Sequence, residues 1–77
     1  MRKTVGERIK EVREEQGMSV YMLSKKAKIN SSSLYHCEKG LNCPSLEVAA
    51  RICRVLDISL DWLALAFFDD EEDSERF

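Results

Sequence analysis

The sequence predicts an all-α protein of one domain, built from five helices. Its 77 residues are enough for one small core. Apolar residues recur at helical spacing in successive short windows, and each window follows a residue that commonly caps a helix. Two of these windows lie between Ser19 and Gly40, so close together that they predict a pair of short helices joined by a tight turn.

The first helix is predicted from about residue 5 to Gln16. Thr4 and Glu7 have the spacing of a capping box, and Gly17 is the residue expected to end the helix. Three residues at positions i, i+4 and i+7 form its apolar face: Val5, Ile9 and Val12.

The second and third helices form the pair joined by the tight turn. Ser19 caps the second helix, whose apolar face holds Leu23 and Ala27; Asn30 caps the third helix, and Gly40 ends it. Leu34 and Cys37 are expected to point inward from the third helix. The outer face of that helix carries no acid, which suits contacts with base edges in a DNA major groove. It consists of Ser31, Ser32, Tyr35, His36 and Lys39.

The fourth helix follows Pro44 and is capped by Ser45. Either Ser45 is a plain cap, or the free amides at this helix end also bind a phosphate, and the sequence leaves both open. The inward stripe of the fourth helix comprises Leu46, Ala49, Ile52, Cys53 and Leu56.

The fifth helix is capped by Ser59 and begins near Leu60. It runs into seven consecutive apolar residues, from Trp62 to Phe68, which would cover every side of nearly two turns. We expect one part of this run to pack on Val5, Ile9 and Leu60. The rest should meet a second copy of the chain or the acidic segment that follows.

Charge is distributed unevenly along the chain, whose net charge is −2. Residues 1–66 hold 11 basic and 8 acidic residues, a net charge of +3. Residues 69–77 hold six acids and one arginine, a net charge of −5, and show no apolar periodicity. The sequence therefore predicts a mildly basic domain over 1–68 and an acidic, disordered tail over 69–77.

Several classes of function are disfavoured by what the sequence lacks. It has no long apolar run and no charged-then-apolar leader, so a cytoplasmic location is expected. Three cysteines without C-x-x-C spacing favour reduced thiols, with Cys37 and Cys53 filling the core. A catalytic pair or a metal site of His36, Cys37 and Cys43 is disfavoured, because adjacent helical residues do not face each other. We therefore expect no enzyme, metal or cofactor.

The whole pattern resembles the Cro/cI-type helix-turn-helix family of DNA-binding domains, also called the XRE family. The resemblance covers nearly the whole chain and implies a compact lambda-repressor-like domain, with the helix-turn-helix at helices two and three. It also implies a homodimer on a palindromic operator. The matching residues are Ile9, Val12, Arg13, Gly17, Ser19, Leu23, Ala27, Ile29, Asn30, Leu34, Glu38, Lys39, Gly40, Pro44, Ser45, Leu46, Leu56, Ile58, Ser59 and Leu63.

The same resemblance implies an ion pair and exposes three departures. The family has an arginine at the position of Arg13 that pairs with a glutamate at the position of Glu38. It usually has glutamine where this chain has Val20, alanine where it has Ser24, and glycine where it has Lys28. Loss of the glutamine removes a side chain expected to touch a phosphate. Lys28 must adopt whatever backbone conformation the turn requires.

The first function hypothesis is a sequence-specific, repressor-like transcriptional regulator that inserts helix three into the major groove as a dimer. Base contacts are predicted for Ser31, Ser32, Tyr35 and His36, and the dimer interface for Trp62, Leu65 and Phe67. Phosphate contacts are predicted for Lys25, Lys28, Lys39, Asn42, Ser45 and the amino terminus of helix two at Val20.

The second hypothesis is a protein-interaction module, an antitoxin or adaptor that holds a partner with its apolar fifth helix and acidic tail. The same fold can serve different functions. The missing glutamine and the weak positive charge of the body weaken the expected contact with DNA and so favour this hypothesis. The acid-free outer face of helix three favours DNA instead. A continuous surface of Lys25, Lys28 and Lys39 beside helix three would also favour DNA.

Overall fold

The computed structural model describes residues 4–67, and within this range all regular structure is helical. The predicted all-α fold class is therefore confirmed. Five α-helices are followed by a 3-10 turn over Leu65–Phe67. The helices are α1 (Val5–Glu15), α2 (Val20–Ala27), α3 (Ser31–Glu38), α4 (Leu46–Leu56) and α5 (Leu60–Ala64).

Each helix begins at the cap that the sequence predicts. At α1 the Thr4 hydroxyl accepts a hydrogen bond from the Glu7 amide at 3.1 Å, and the Glu7 carboxylate accepts one from the Thr4 amide at 2.9 Å. The other caps accept from the amide three residues ahead. Each such cap contributes about 1 kcal/mol and determines where its helix begins. They are Ser19, Asn30, Ser45 and Ser59.

The core lies where all five helices meet, and its members come from the predicted apolar faces. Leu46, predicted to point inward from the fourth helix, is instead 74% exposed at the start of α4. Cys37 and Cys53 are buried in it, as the sequence predicts, and burial raises the pKa of the Cys37 thiol to about 11. A protonated thiol is a small apolar filler rather than a nucleophile. The largest fully buried side chains are Ile9, Leu23, Leu34, Ile52, Leu56 and Leu63.

The turn between α2 and α3 depends on a left-handed backbone at Lys28, with φ 60° and ψ 48°. This conformation explains why the related family usually has glycine here, because a side chain in it costs roughly 1–2 kcal/mol. The amide of Ile29 donates to the Ser24 carbonyl at 3.0 Å, which closes the end of α2. The reversal holds α3 against both α1 and α2.

Helix α5 divides the apolar run as the sequence suggests: Leu63 and Ala66 are buried, whereas Trp62 and Leu65 are 36% and 51% exposed. Trp62 is also covered in part by its own domain. The Arg8 guanidinium lies 4.9 Å from the centroid of the indole ring, and Arg8 Nη1 donates to the Trp62 carbonyl at 2.7 Å. The Phe67 side chain and the acidic segment 69–77 lie outside the described residues. Over 4–67, no helix is long and apolar enough to cross a membrane.

Candidate nucleic-acid interface

Helix α3 presents one polar face to solvent and buries the other. All five residues predicted to lie on the outer face are exposed: Ser31, Ser32, Tyr35, His36 and Lys39. The one acid of this helix, Glu38, is buried. The exposed face therefore carries hydroxyl, imidazole and ammonium groups without a carboxylate, and these groups can donate to bases or phosphates.

An ion pair holds the carboxyl end of α3 in place. Arg13 Nε and Nη2 donate to the two carboxylate oxygens of Glu38 at 2.8 and 2.9 Å, and Arg13 Nη1 donates to the Met18 carbonyl at 2.7 Å. Arg13 and Glu38 are each only 8% exposed. The hydrogen bond to Glu38 raises the pKa of Arg13 against the opposing effect of burial. One guanidinium thus links α1, the start of α2 and the exposed helix α3.

A close crossing of α1 and α3 also fixes this end of α3. A Cβ placed on Gly6 of α1 would lie 1.8 Å from the Cys37 carbonyl oxygen and 2.9 Å from the Cα of Glu38. Only glycine permits this approach of two backbones. Gly6 was not among the residues predicted to be functional. The only signal for it in the sequence is a glycine inside a predicted helix, where glycine costs about 1 kcal/mol relative to alanine.

Two lysine–tyrosine contacts flank the exposed face. The Lys25 ammonium lies 5.5 Å from the Tyr21 ring centroid, and the Lys39 ammonium lies 5.3 Å from the Tyr35 ring centroid. Both distances fall in the range of cation–π attraction. Tyr21, which the sequence interpretation missed, lies in a hollow between α2 and α3. The residues lining this recognition hollow are Val20, Tyr21, Ser31, Ser32, Tyr35 and His36.

Three other predicted phosphate contacts line two further grooves. Lys28 lines a second groove, between α2 and α4, together with Lys26, Arg51 and Arg54. Asn42 and Ser45 line a small cleft between α3 and α4. The structure thus brings Lys25 and Lys39 to the two tyrosines of the recognition hollow and places Lys28 in a different groove. At the start of α4, the Ser45 hydroxyl already accepts a hydrogen bond from the Val48 amide at 3.2 Å.

The residues considered for catalysis or metal binding are not assembled into a site. His36 is exposed on the outer face of α3, whereas Cys37 is buried on the opposite side of the same helix. Among residues 4–67, no group of three or more His, Cys, Asp or Glu side chains could hold a metal ion.

Two short helices joined by a left-handed turn, with the second exposed and held by α1, define a helix-turn-helix DNA-binding domain. The helix-turn-helix family model matches residues 9–63, and the chain belongs to this family of the Cro/cI (XRE) type. It is a DNA-binding transcriptional regulator by class. An uncharacterized HTH-type transcriptional regulator of Archaeoglobus fulgidus is 38% identical over 65 residues, which cover 84% of this chain and 90% of that protein.

The HTH-type transcriptional regulator SinR of Bacillus subtilis is a second relative, 33% identical over 72 residues. The match covers 92% of this chain but only 61% of SinR. A crystal structure shows SinR, the master regulator for biofilm formation, in complex with DNA. It superposes on this chain with a TM-score of 0.76 at 35% identity, and the match covers 79% of this chain and 98% of the SinR chain. A complex of SinR with the SinI protein gives a TM-score of 0.78 at 36% identity, covering 94% and 70%.

Proposed function

We propose that the chain binds DNA sequence-specifically, by inserting α3 into the major groove, and acts as a repressor-like regulator in the cytoplasm. The observation that carries this proposal is the exposed, acid-free face of α3, held rigidly by Arg13 and Gly6. The relative SinR has been solved on DNA, which supports the same use of the fold here.

The roles of individual residues follow from their chemistry and position. Ser31, Ser32, Tyr35 and His36 contact base edges, because they form the outer face of α3. No arginine, glutamine or asparagine lies in the middle of this face to make a bidentate base contact, so part of the specificity comes from DNA shape. Phosphates are held by side chains around α3 and by amides at helix starts: Lys25, Lys28, Lys39, Asn42, Ser45 and the amide of Val20.

Substitutions at Lys39 and Ser32 are expected to separate these two kinds of contact. Lys39→Ala should reduce the slope of log K against log salt by about 1, because one phosphate contact is lost. Ser32→Ala should keep the slope and change the preference between sequences. The measurement is a binding titration at several salt concentrations, using the DNA that flanks the gene and random DNA of equal length.

Lys10→Ala is the matched control, since Lys10 is an exposed lysine of α1 outside the proposed interface. It should leave both the slope and the preference unchanged. If Ser32→Ala and His36→Ala weaken binding equally on both DNAs, α3 does not read bases and the proposal fails.

We further propose a twofold dimer formed through the exposed end of α5, where Trp62 and Leu65 leave apolar surface in water. An isologous contact buries this surface without leaving a second sticky patch. Phe67, whose side chain is not described, belongs to the same proposed interface. The two α3 helices would then lie about 34 Å apart, one turn of B-DNA.

Leu65→Glu is expected to convert the dimer to a monomer, because it places two carboxylates at the proposed contact. Sedimentation equilibrium from low to high micromolar concentration measures this change. Leu41→Glu is the control, since Leu41 is also an exposed leucine but lies in the loop after α3. A wild-type chain that remains monomeric at high micromolar concentration contradicts the proposed dimer.

The acidic segment 69–77 is proposed to lower the affinity of the basic surface for random DNA, or to bind a protein partner. Its net charge of −5, opposite to the +3 of residues 1–66, supports both roles. SinR itself has been solved in complex with the SinI protein. A tethered anion competes best with weak, nonspecific binding and is screened by salt.

A chain ending at Phe68 should therefore bind random DNA more tightly than the full chain at low salt, and the difference should shrink as salt rises. The control that separates charge from length is a full-length chain in which the six acids of residues 69–77 are changed to amides. It should behave like the shortened chain. Unchanged affinity for both variants would contradict competition with DNA and leave the segment as a solubilising end or a site for a protein partner.

A further inference from the structure

The recognition hollow between α2 and α3 includes apolar surface from α2, to which the proposed base contacts assign no role. Four of its six lining residues belong to the outer face of α3, so it opens on the side proposed to meet DNA. The other two, Val20 and Tyr21, come from the first turn of α2. The hollow is therefore assembled from both helices of the helix-turn-helix.

The apolar part of the hollow consists of the Val20 side chain and the rings of Tyr21 and Tyr35. Val20 is half-buried and packs against the core, so its position is fixed. Tyr21 and Tyr35 are 63% and 49% exposed, and each ring carries a lysine ammonium within 5.5 Å of its centroid. These cation–π contacts restrict the rings and place a positive charge beside each of them.

A hollow of this composition favours one chemical group in the major groove. Every base offers hydrogen-bonding atoms there, but thymine alone among the four bases adds an apolar group, the methyl on C5. A valine and two tyrosine rings lining one hollow offer this methyl an apolar contact, while the hydroxyls of Ser31 and Ser32 remain for polar atoms.

We infer that the recognition hollow binds the 5-methyl group of a thymine, with Val20, Tyr21 and Tyr35 as its contacts. The inference rests on the proposed insertion of α3 into the major groove. Val20 then has a role of its own: it supplies an apolar lining where the family's glutamine would place a polar side chain. Tyr21, outside the predicted set of base contacts, becomes a residue that determines specificity.

The test uses DNA that differs only by this methyl group. A duplex selected by the full chain from a random pool is resynthesised with deoxyuridine in place of thymidine, one position at a time. At one or two positions the wild-type protein should bind the deoxyuridine duplex about fourfold more weakly, the factor that corresponds to burying one methyl group. Placing cytosine there and then 5-methylcytosine should recover a similar factor, because the same methyl returns.

Variants of the hollow locate the effect. Val20→Ala and Tyr21→Ala should each reduce the thymidine-to-deoxyuridine ratio towards one. Val55→Ala is the matched control, a half-buried valine of α4 that lines the other groove, and should keep the fourfold ratio. Tyr21 is mostly exposed, so this variant tests the hollow even if Val20→Ala unfolds.

Three results would overturn the inference. The first is a selected duplex that binds equally well with deoxyuridine at every position, which leaves the proposed sequence-specific function intact. The second is a methyl effect that persists in both Val20→Ala and Tyr21→Ala, which places the thymine elsewhere. The third is failure to select any preferred duplex, which also removes the proposed function and is thereby distinguished from the other two.

Discussion

Glu38→Ala is expected to lower the free energy of unfolding by about 3–5 kcal/mol, because it leaves the Arg13 guanidinium buried without its carboxylate. Both Glu38 oxygens accept hydrogen bonds from Arg13 at 2.8 and 2.9 Å in a site that solvent barely reaches. A 77-residue domain has a total stability of only about 4–12 kcal/mol, so this loss would remove a large share of the free energy of unfolding. Urea unfolding followed by circular dichroism measures the change.

Glu47→Ala is the matched control for this experiment. Glu47 accepts a hydrogen bond from Arg51 at 2.9 Å, nearly the same distance, but this pair lies on the surface of α4. Its removal should cost less than about 0.5 kcal/mol, because exposed pairs one helical turn apart contribute little. Equal losses for Glu38→Ala and Glu47→Ala would contradict the structural role assigned to the buried pair.

Replacing both buried partners separates the cost of an unpaired charge from the value of the pair. Arg13→Met with Glu38→Leu removes both charges and keeps similar volume, so it should recover most of the stability lost in Glu38→Ala. DNA binding by the double variant then reports whether the ion pair also fixes the orientation of α3. Weaker DNA binding with restored stability is the expected result, because the link from Arg13 to the Met18 carbonyl is lost as well.

Gly6→Ala is the second substitution with a large expected effect, a loss of about 3 kcal/mol or more. The added Cβ would overlap the Cys37 carbonyl oxygen, and its nearest neighbours are all backbone atoms that cannot rotate away. Overpacking typically costs about 1–3 kcal/mol. Alanine favours a helix by about 1 kcal/mol relative to glycine, which offsets part of that cost. We expect the cost of overpacking here to exceed its usual range, because the contact is between rigid backbones. Helices α1 and α3 must separate, so DNA affinity should fall together with stability.

Gly40→Ala is the control for this second experiment. Gly40 also has a structural role, with φ of +82°, but a Cβ there would meet nothing within 4 Å. Its substitution should therefore cost only the roughly 1–2 kcal/mol of a left-handed backbone. Both variants replace one glycine with alanine, so the change in the conformational entropy of the unfolded chain cancels in the comparison. A cost for Gly6→Ala no larger than that for Gly40→Ala would contradict the close crossing of α1 and α3.

Much of the interface geometry could be predicted because the repeating pattern of α3 is local. Leu34 and Cys37 are buried and the five outer residues are exposed, as the spacing along one helix requires. Lys28 in the left-handed turn was likewise predictable as a departure from the family's glycine. Tyr21 was missed because nothing in its own helix indicates which neighbour its ring will face.

The sequence by itself determined the five helices and their beginnings, because a cap acts within three or four residues of itself. Thr4, Ser19 and Asn30 each accept a hydrogen bond from an amide three positions ahead, whatever the rest of the chain does. Only the tertiary structure decided which helices approach closely and which surfaces they share. The contact of Gly6 with Cys37 and the cover of Arg8 over Trp62 join residues 31 and 54 positions apart. Such contacts depend on how whole helix faces pack, and local periodicity carries no information about that arrangement.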